Sequence, residues 1–376
     1  MAILPDNISF PGLEPYQGFD INLSEDPHCF ACSCRYARTP RGSHGGEASD
    51  DDRWDNTAEE IAAAKRLLKC SRCRVAVYCS ARCQREDYKG EHREACKALK
   101  EYSDEMKREE LRLHHAPATL SYDNMNYFKE DNIGHFYGLF ETRGYLRAIY
   151  GLAEEIRYLA HTQETRPLWD KVVKLHLEIL RLNHSDNMGV RFKLPFYLLS
   201  LNRDQDCYSF IKHWKRVYDR NDGKPPSPPP RKGEWFYPRD ANVLEPLPGG
   251  LIKELEGSLA WAAAVLVVKL RKIGALETAV RLGKVASDPE VLPPLVADAH
   301  RLLNMIERRN PVFLKALVNP GPLRSQDMPE YWSPGKPSEA YMVLNDCCRH
   351  FHRIPFAIQR IEAMVGVNPS YDFTMD

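Results

Sequence analysis

The sequence lacks an excess of charge of either sign. Its 52 lysines and arginines equal its 52 aspartates and glutamates, so the formal net charge at pH 7 is zero. A chain without a net positive field has no long-range attraction to nucleic acid or to an anionic membrane, and any basic patch must be local. We therefore do not expect nucleic acid or a membrane as the main partner.

Long hydrophobic runs are also missing. The longest predominantly apolar stretch, residues 259–270, is shorter than the roughly 20 residues that span a bilayer. The first ten residues lack the cationic block and apolar core of a secretory signal. We expect a soluble, intracellular protein, in the nucleus or the cytoplasm.

Cysteine is scarce outside one segment. Eight of the eleven cysteines fall within residues 29–96, and only Cys207, Cys347 and Cys348 lie elsewhere. In a chain that is not secreted, this clustering favours metal binding over disulfide bonds. The sequence also lacks the dinucleotide-binding, phosphate-cradling, zinc-protease and serine-hydrolase motifs, so we expect no catalytic residues and no enzyme activity.

The clustered cysteines have the spacing of metal ligands. The candidates are Cys29, Cys32, Cys70, Cys73, Cys79, Cys83, His92 and Cys96. Two cysteines separated by two residues lie on one knuckle turn, and a histidine four residues before a cysteine shares a helix face with it. Eight such ligands suit two closed, tetrahedral zinc sites. Cys34 is an alternative to Cys32, because the string CFACSC offers two registers.

These ligands, with the strings YCS at 78–80, CQ at 83–84 and EDY at 86–88, resemble the MYND finger family over residues 29–96. The resemblance implies two structural zinc ions with interleaved ligands. The first ion would take Cys29, Cys32, Cys79 and Cys83, and the second Cys70, Cys73, His92 and Cys96. Two features depart from the family: 37 residues separate Cys32 from Cys70, an unusually long gap, and Tyr88 replaces the usual tryptophan.

The same resemblance implies a protein partner. MYND fingers bind short proline-containing peptides, and the matching residues here are Gln84 and Tyr88. A glutamine amide can pair with a peptide backbone and a tyrosine ring can lie against proline. A polar residue at a helix start and a packing aromatic would equally explain the pair. Residues 225–230 and 293–296 could supply prolines from the chain itself, although an ordinary loop and a helix start explain them better.

The fold class expected is mostly α, a small two-zinc finger followed by a tetratricopeptide-like helical repeat domain. The parts are a 1–28 arm, the 29–96 finger with an inserted loop at 35–56, a 97–134 charged helix and linker, and a 135–376 helical repeat domain with a proline-rich loop at 222–250. A capping pair, Thr57 and Glu60, predicts a helix before Cys70, and residues 84–115 predict one continuous helix. Apolar residues three and four apart between 168 and 214 predict stacked helices at an interval near the tetratricopeptide period.

Two other functions compete with a non-enzymatic adaptor. Asn183-His184-Ser185 matches one signature of the SET domain, which would make the chain a protein lysine methyltransferase; the rest of that signature is missing. A helix that starts near residue 188 and is capped by Asp186 and Asn187 explains the string without a catalytic role. A nucleic-acid-binding zinc protein would rest on the arginines at 72, 74, 82 and 85, which neighbouring acids offset.

We therefore predict a zinc-stabilised adaptor with a second protein surface on its helical domain. The sequence resembles fungal MYND-domain proteins that have a tetratricopeptide-like tail. That resemblance implies a role in transcription or chromatin regulation and slightly favours the nucleus.

Overall fold

The structure is a computed structural model that describes residues 23–24, 27–33, 67–115, 127–219, 229–284, 288 and 290–371. Within these ranges the chain has thirteen α-helices and one two-stranded hairpin, which confirms a mostly α fold with the finger ahead of a helical domain. No helix in the described ranges is long and apolar enough to cross a membrane. Packing divides the described chain into two compact units, residues 23–183 and 184–371.

Several predicted features lie outside the described residues. They are Cys34, the inserted loop at 35–56, the helix expected from Thr57 and Glu60, and most of the 225–230 proline string. The prolines at 293–294 are described and lie in the first turn of a helix, as expected of a helix start.

The first unit begins with the finger. Strands β1 (Leu68–Lys69) and β2 (Val77–Tyr78) pair antiparallel, and helices α1 (Ala81–Lys89) and α2 (His92–His114) follow. The single helix predicted over 84–115 is therefore wrong. Gly90 has φ −89° and ψ −119°, outside the helical region, and its amide donates to the Asp87 carbonyl at 3.0 Å. Glycine is a weak helix former, so the chain turns there and starts a second helix.

Three short 3₁₀ turns and two long helices complete the first unit. The turns are Glu130–Asn132, Phe136–Gly138 and Phe140–Thr142, and the helices are α3 (Arg143–Gln163) and α4 (Arg166–Leu182). α2 packs on α3 and α3 on α4. Gly151 permits the first contact, because a Cβ there would lie 2.3 Å from the Tyr102 ring.

The segment before the finger is tied to the turn between α3 and α4. Ser24 donates its amide to the Glu164 carbonyl at 3.1 Å and accepts from the Arg166 amide at 2.9 Å, and Leu23 is buried. The chain entering the first cysteine knuckle is thereby fixed to two helices of its own unit.

The second unit contains nine helices in its described part. They are α5 (Val190–Ser200), α6 (Asp204–Asp219), α7 (Gly249–Leu255), α8 (Leu259–Arg281), α9 (Leu292–Arg309), α10 (Phe313–Val318), α11 (Gly321–Arg324), α12 (Pro337–His352) and α13 (Ala357–Val365). α8 is apolar on nearly all sides and is covered by α5, α6, α7, α9 and α12. A helix of this composition belongs in the centre of a core.

The part of the proline-rich loop that is described, residues 229–248, is packed down on these helices. Buried Lys269 donates to the carbonyls of Val243 at 3.0 Å and Glu245 at 2.5 Å. Asp298 accepts from the Leu247 amide at 2.8 Å. The loop predicted from its prolines is present, and it is held by side chains from α8 and α9.

The turn after α4 contains the string that matches a SET signature. Asn183 ends α4 and is buried, and the His184 ring lies 5.1 Å from the Trp214 ring. Asp186 accepts from the Val190 and Arg191 amides at 2.8 and 2.9 Å, so it binds the first turn of α5 as predicted, although that helix begins at residue 190 and has Gly189 at its N-cap. Asn187 does not cap that helix, because its side chain accepts from the Ser185 hydroxyl instead.

Candidate metal centre

The first ligand cluster joins a knuckle turn to the start of α1. Its four sulfurs, those of Cys29, Cys32, Cys79 and Cys83, lie within 4.8 Å of one another. The Cys32–Cys79, Cys79–Cys83 and Cys32–Cys83 sulfur distances are 3.5, 3.5 and 3.7 Å. The knuckle is closed by the Ser33 amide, which donates to the Cys29 carbonyl at 2.8 Å, with Ser33 at φ +58°.

The second cluster joins the hairpin to the start of α2. Cys70, Cys73, His92 and Cys96 are all buried, and their ligand atoms also lie within 4.8 Å of one another. The Cys70–Cys96 sulfurs are 3.7 Å apart, and the Cys73 sulfur is 3.6 Å from Nε2 of His92. The Arg74 amide closes this knuckle on the Cys70 carbonyl at 2.9 Å, with Arg74 at φ +59°.

Local structure explains how the two clusters interleave. The Phe30 amide donates to the Val77 carbonyl at 3.0 Å, so the first knuckle lies beside β2. The chain after β2 supplies Cys79 directly, and Ser80 caps α1 by accepting from the Cys83 amide at 3.2 Å. Strand β2 therefore positions Cys79, and the Ser80 cap positions Cys83 at the start of α1.

Tyr78 fills the space between the clusters. Its side chain is fully buried and donates to the Asp87 carboxylate at 2.7 Å. Its ring lies 6.2 Å from that of Phe30 and 5.9 Å from that of His92, edge to face in both cases. Burial, together with the Asp87 hydrogen bond, raises the pKa of Tyr78, so the phenol stays neutral and donates that bond.

The dimensions of both clusters fit zinc. A tetrahedron of sulfur ligands about 2.3 Å from the metal has edges of about 3.8 Å, slightly shorter where nitrogen replaces sulfur. Four sulfur–sulfur distances of 3.5 to 3.7 Å are close to this edge and too long for disulfide bonds, and all ligand atoms of a cluster lie within 4.8 Å of one another. Each cluster provides four ligands, so the geometry can hold two structural zinc ions.

The electrostatics of the thiols also favour a cation. Burial raises the pKa of Cys79 to about 11, and burial with the neighbouring Cys73 charge raises that of Cys96 to about 12. At Cys29 burial opposes ionisation, but backbone hydrogen bonds outweigh it and lower the pKa. Burial lowers the pKa of His92, which keeps its imidazole in the neutral form that binds metal. A divalent cation would offset the buried thiolate charge and release protons on binding.

Residues 56–96 match the model of the MYND finger. The chain carries a MYND finger. The match holds six of the eight ligands, whereas Cys29 and Cys32 precede it and join the finger through the structure. No SET domain was found, and no curated protein or solved structure matches the chain.

The MYND finger places both predicted peptide-binding residues on one side of α1. Gln84 and Tyr88 are four residues apart, share a helix face, and are both partly exposed. The Tyr88 hydroxyl accepts from Arg72 Nη1 at 3.2 Å, and its ring is 6.4 Å from the His92 ring. The structure thus brings the two residues together, and their binding of peptide stays a prediction. From its sequence context, Arg72 is a candidate only for contact with nucleic acid.

Proposed function

We propose that this chain is a non-enzymatic adaptor whose MYND finger binds proline-containing peptides at Gln84 and Tyr88. The observation that carries the proposal is the placement of the Tyr88 ring. It is partly exposed, yet Arg72 holds its hydroxyl and its ring packs beside the zinc ligand His92. An aromatic side chain that is already ordered loses little entropy when a ligand covers it.

The zinc clusters support a structural role in this adaptor. Each metal would have four protein ligands, which leaves no open position for a water molecule or a substrate. Zinc would therefore supply folding free energy to a segment with a small apolar core, and the side chains beside it would do the binding.

The proposal extends to the helical part of the chain. α3 and α4 are packed together and joined by only two residues, a helix–turn–helix of the kind that tetratricopeptide arrays repeat. We propose that the helical domain offers a second protein surface. A role in transcription or chromatin regulation, and the nucleus as its location, rest on resemblance alone.

Peptide binding by the full-length, zinc-loaded protein tests the proposal. Proline-containing peptides selected from an array would be titrated against the wild type and against the Gln84→Ala and Tyr88→Ala variants. We expect Tyr88→Ala to weaken binding by at least about tenfold, as truncation of a central interface aromatic does. Tyr158→Ala removes a more exposed ring from α3 and should leave binding unchanged.

Two results would contradict the proposal. One is unchanged peptide affinity of Tyr88→Ala in protein that still holds its zinc. The other is transfer of a methyl group from S-adenosylmethionine to protein lysines by the purified chain, which would restore the enzyme alternative.

A further inference from the structure

One segment of the finger has an excess of basic residues that the whole chain lacks. Between β1 and the end of α1 the described segment holds six basic and two acidic residues, an excess of four basic side chains before thiolates and zinc ions are counted, whereas basic and acidic residues are equal in number in the full sequence. The basic residues are Lys69, Arg72, Arg74, Arg82, Arg85 and Lys89, and the acidic ones are Glu86 and Asp87. The excess lies in the same segment as Gln84 and Tyr88.

Both acidic side chains are already engaged. Asp87 accepts from the buried Tyr78 hydroxyl at 2.7 Å, and Glu86 pairs with Arg82 at 2.8 Å along α1. Among the described residues, no carboxylate lies within ion-pair distance of Arg72, Arg85 or Lys89. All three side chains are exposed. The surface therefore presents cations that the chain does not neutralise within its described part.

These cations surround the predicted peptide surface. Arg72 reaches Tyr88 from the turn between β1 and β2, with Nη1 at 3.2 Å from the hydroxyl. Arg85 lies three residues before Tyr88 on α1, which makes the two side chains neighbours, and Lys89 follows Arg85 by one turn. A ligand on the Tyr88 ring would thus meet a guanidinium at the hydroxyl end and two further cations along one flank.

We infer that the ligand of this surface is a proline-containing peptide with aspartate or glutamate beside the proline, whose carboxylate pairs with Arg72. The inference rests on the proposed function and names the chemistry of the peptide. A guanidinium has five N–H donors in a planar fork that matches a carboxylate, and the Tyr88 hydroxyl uses one of them. The fork is also held in place by that hydroxyl, so it is ordered before the ligand arrives.

Matched peptides test the inference. Two arrays of proline-containing peptides would be identical except that Asp and Glu in the first are replaced by Asn and Gln in the second. The tightest acidic peptide and its amide twin would then be titrated in solution with the full-length, zinc-loaded protein. We expect the acidic peptide to bind about tenfold more tightly, by a margin that shrinks as salt is raised.

Two variants with the same change in charge locate the effect. Arg72→Gln should reduce the preference for the acidic peptide to less than about threefold. Arg147→Gln removes an exposed arginine from α3 in the same unit and should keep the preference. Zinc content measured on each variant shows that the finger remains assembled.

Each contrary outcome has a separate meaning. If acidic and amide peptides bind equally while Tyr88→Ala abolishes both, the inference is wrong and the proposed function stands. If Tyr88→Ala has no effect on either peptide, the proposed function itself is wrong. If a single- or double-stranded oligonucleotide displaces the acidic peptide and binds more tightly than it, the cations serve nucleic acid, which overturns the inference.

Discussion

The interiors of the MYND finger and of the unit of residues 184–371 are built from different kinds of side chain. In the finger, seven cysteines and His92 surround two potential metal positions, with Tyr78 between them. In the second unit, α8 is buried by five other helices, and its buried Lys269 and Arg271 pair with the carboxylates of Asp298 and Asp204. Arg271, for example, donates to Asp204 at 2.7 Å and to the Leu199 carbonyl at 3.1 Å. The finger should therefore depend on bound metal, where the helical unit depends on packing and on the ionisation of its buried charged groups.

Removal of zinc should give the largest difference between the two regions. A strong chelator such as phenanthroline is expected to unfold β1, β2 and α1, because structural zinc supplies on the order of 10 kcal/mol to small modules of this kind. Hydrogen exchange would show loss of protection at residues 67–90 with protection of α8 unchanged. Equal loss of protection in both regions, or no loss of protection in the finger, would contradict the expected difference between them.

Single ligand substitutions should separate the two metal positions. The wild-type protein is expected to hold two zinc ions, and Cys70→Ser and Cys79→Ser are each expected to lower that number towards one, since each removes one thiolate from a different cluster. Elemental mass spectrometry measures the content. Cys348→Ser changes a cysteine of α12 and should keep two; fewer than two zinc ions in the wild type would remove the basis for the metal centre.

The helical unit should instead respond to the titration of Lys269. Burial lowers the pKa of this lysine to about 8 from its ordinary 10.5, and nearby Asp298 only partly opposes the shift. Between these two pH values the unfolded chain binds more protons than the folded chain, so the unfolding free energy rises as pH increases through the window. The full effect corresponds to about 3 kcal/mol.

The rise in unfolding free energy is measured by urea unfolding at several pH values between 7 and 10.5, with hydrogen exchange of α8 as the probe. Lys269→Met should remove it, because the buried amine is gone. Lys253→Met removes an exposed lysine from α7 and should retain it. Parallel stability curves for the wild type and Lys269→Met would show that burial in the folded protein does not lower the pKa of Lys269.

A smaller effect is expected where α2 passes α3. In Gly151→Ala the new Cβ would lie 2.3 Å from the Tyr102 ring, so the helices or the ring must move, at a cost of about 1–3 kcal/mol in unfolding free energy. Gly138→Ala meets nothing within 4 Å and should change stability by less than about 0.5 kcal/mol. Thermal unfolding of both variants checks this packing. The double variant Gly151→Ala with Tyr102→Ala, which removes the ring that the new Cβ would meet, should recover part of the lost stability.

The sequence predicts the finger better than it predicts the contacts around it. Ligand pairs are readable because each depends on a spacing of two or three residues along a knuckle or a helix, as in Cys70 to Cys73 and His92 to Cys96. The break at Gly90 was missed, since dense helix-forming residues on both sides hid one weak position. The Arg72–Tyr88 bond and the Tyr102–Gly151 contact join residues 16 and 49 positions apart, and no local pattern specifies such pairs.

The helix α2 has a consequence for how a partner could engage this protein. Its 23 residues extend about 35 Å, with zinc ligands in the first turns and the later turns packed on α3. A peptide bound at the finger would therefore lie at a set distance and angle from α3 and α4. A partner that contacts both the finger and the α3–α4 pair must therefore have two binding segments joined by a connection of matching length. A connection that is too short prevents the second contact, and one that is too long lowers the effective concentration of the second segment.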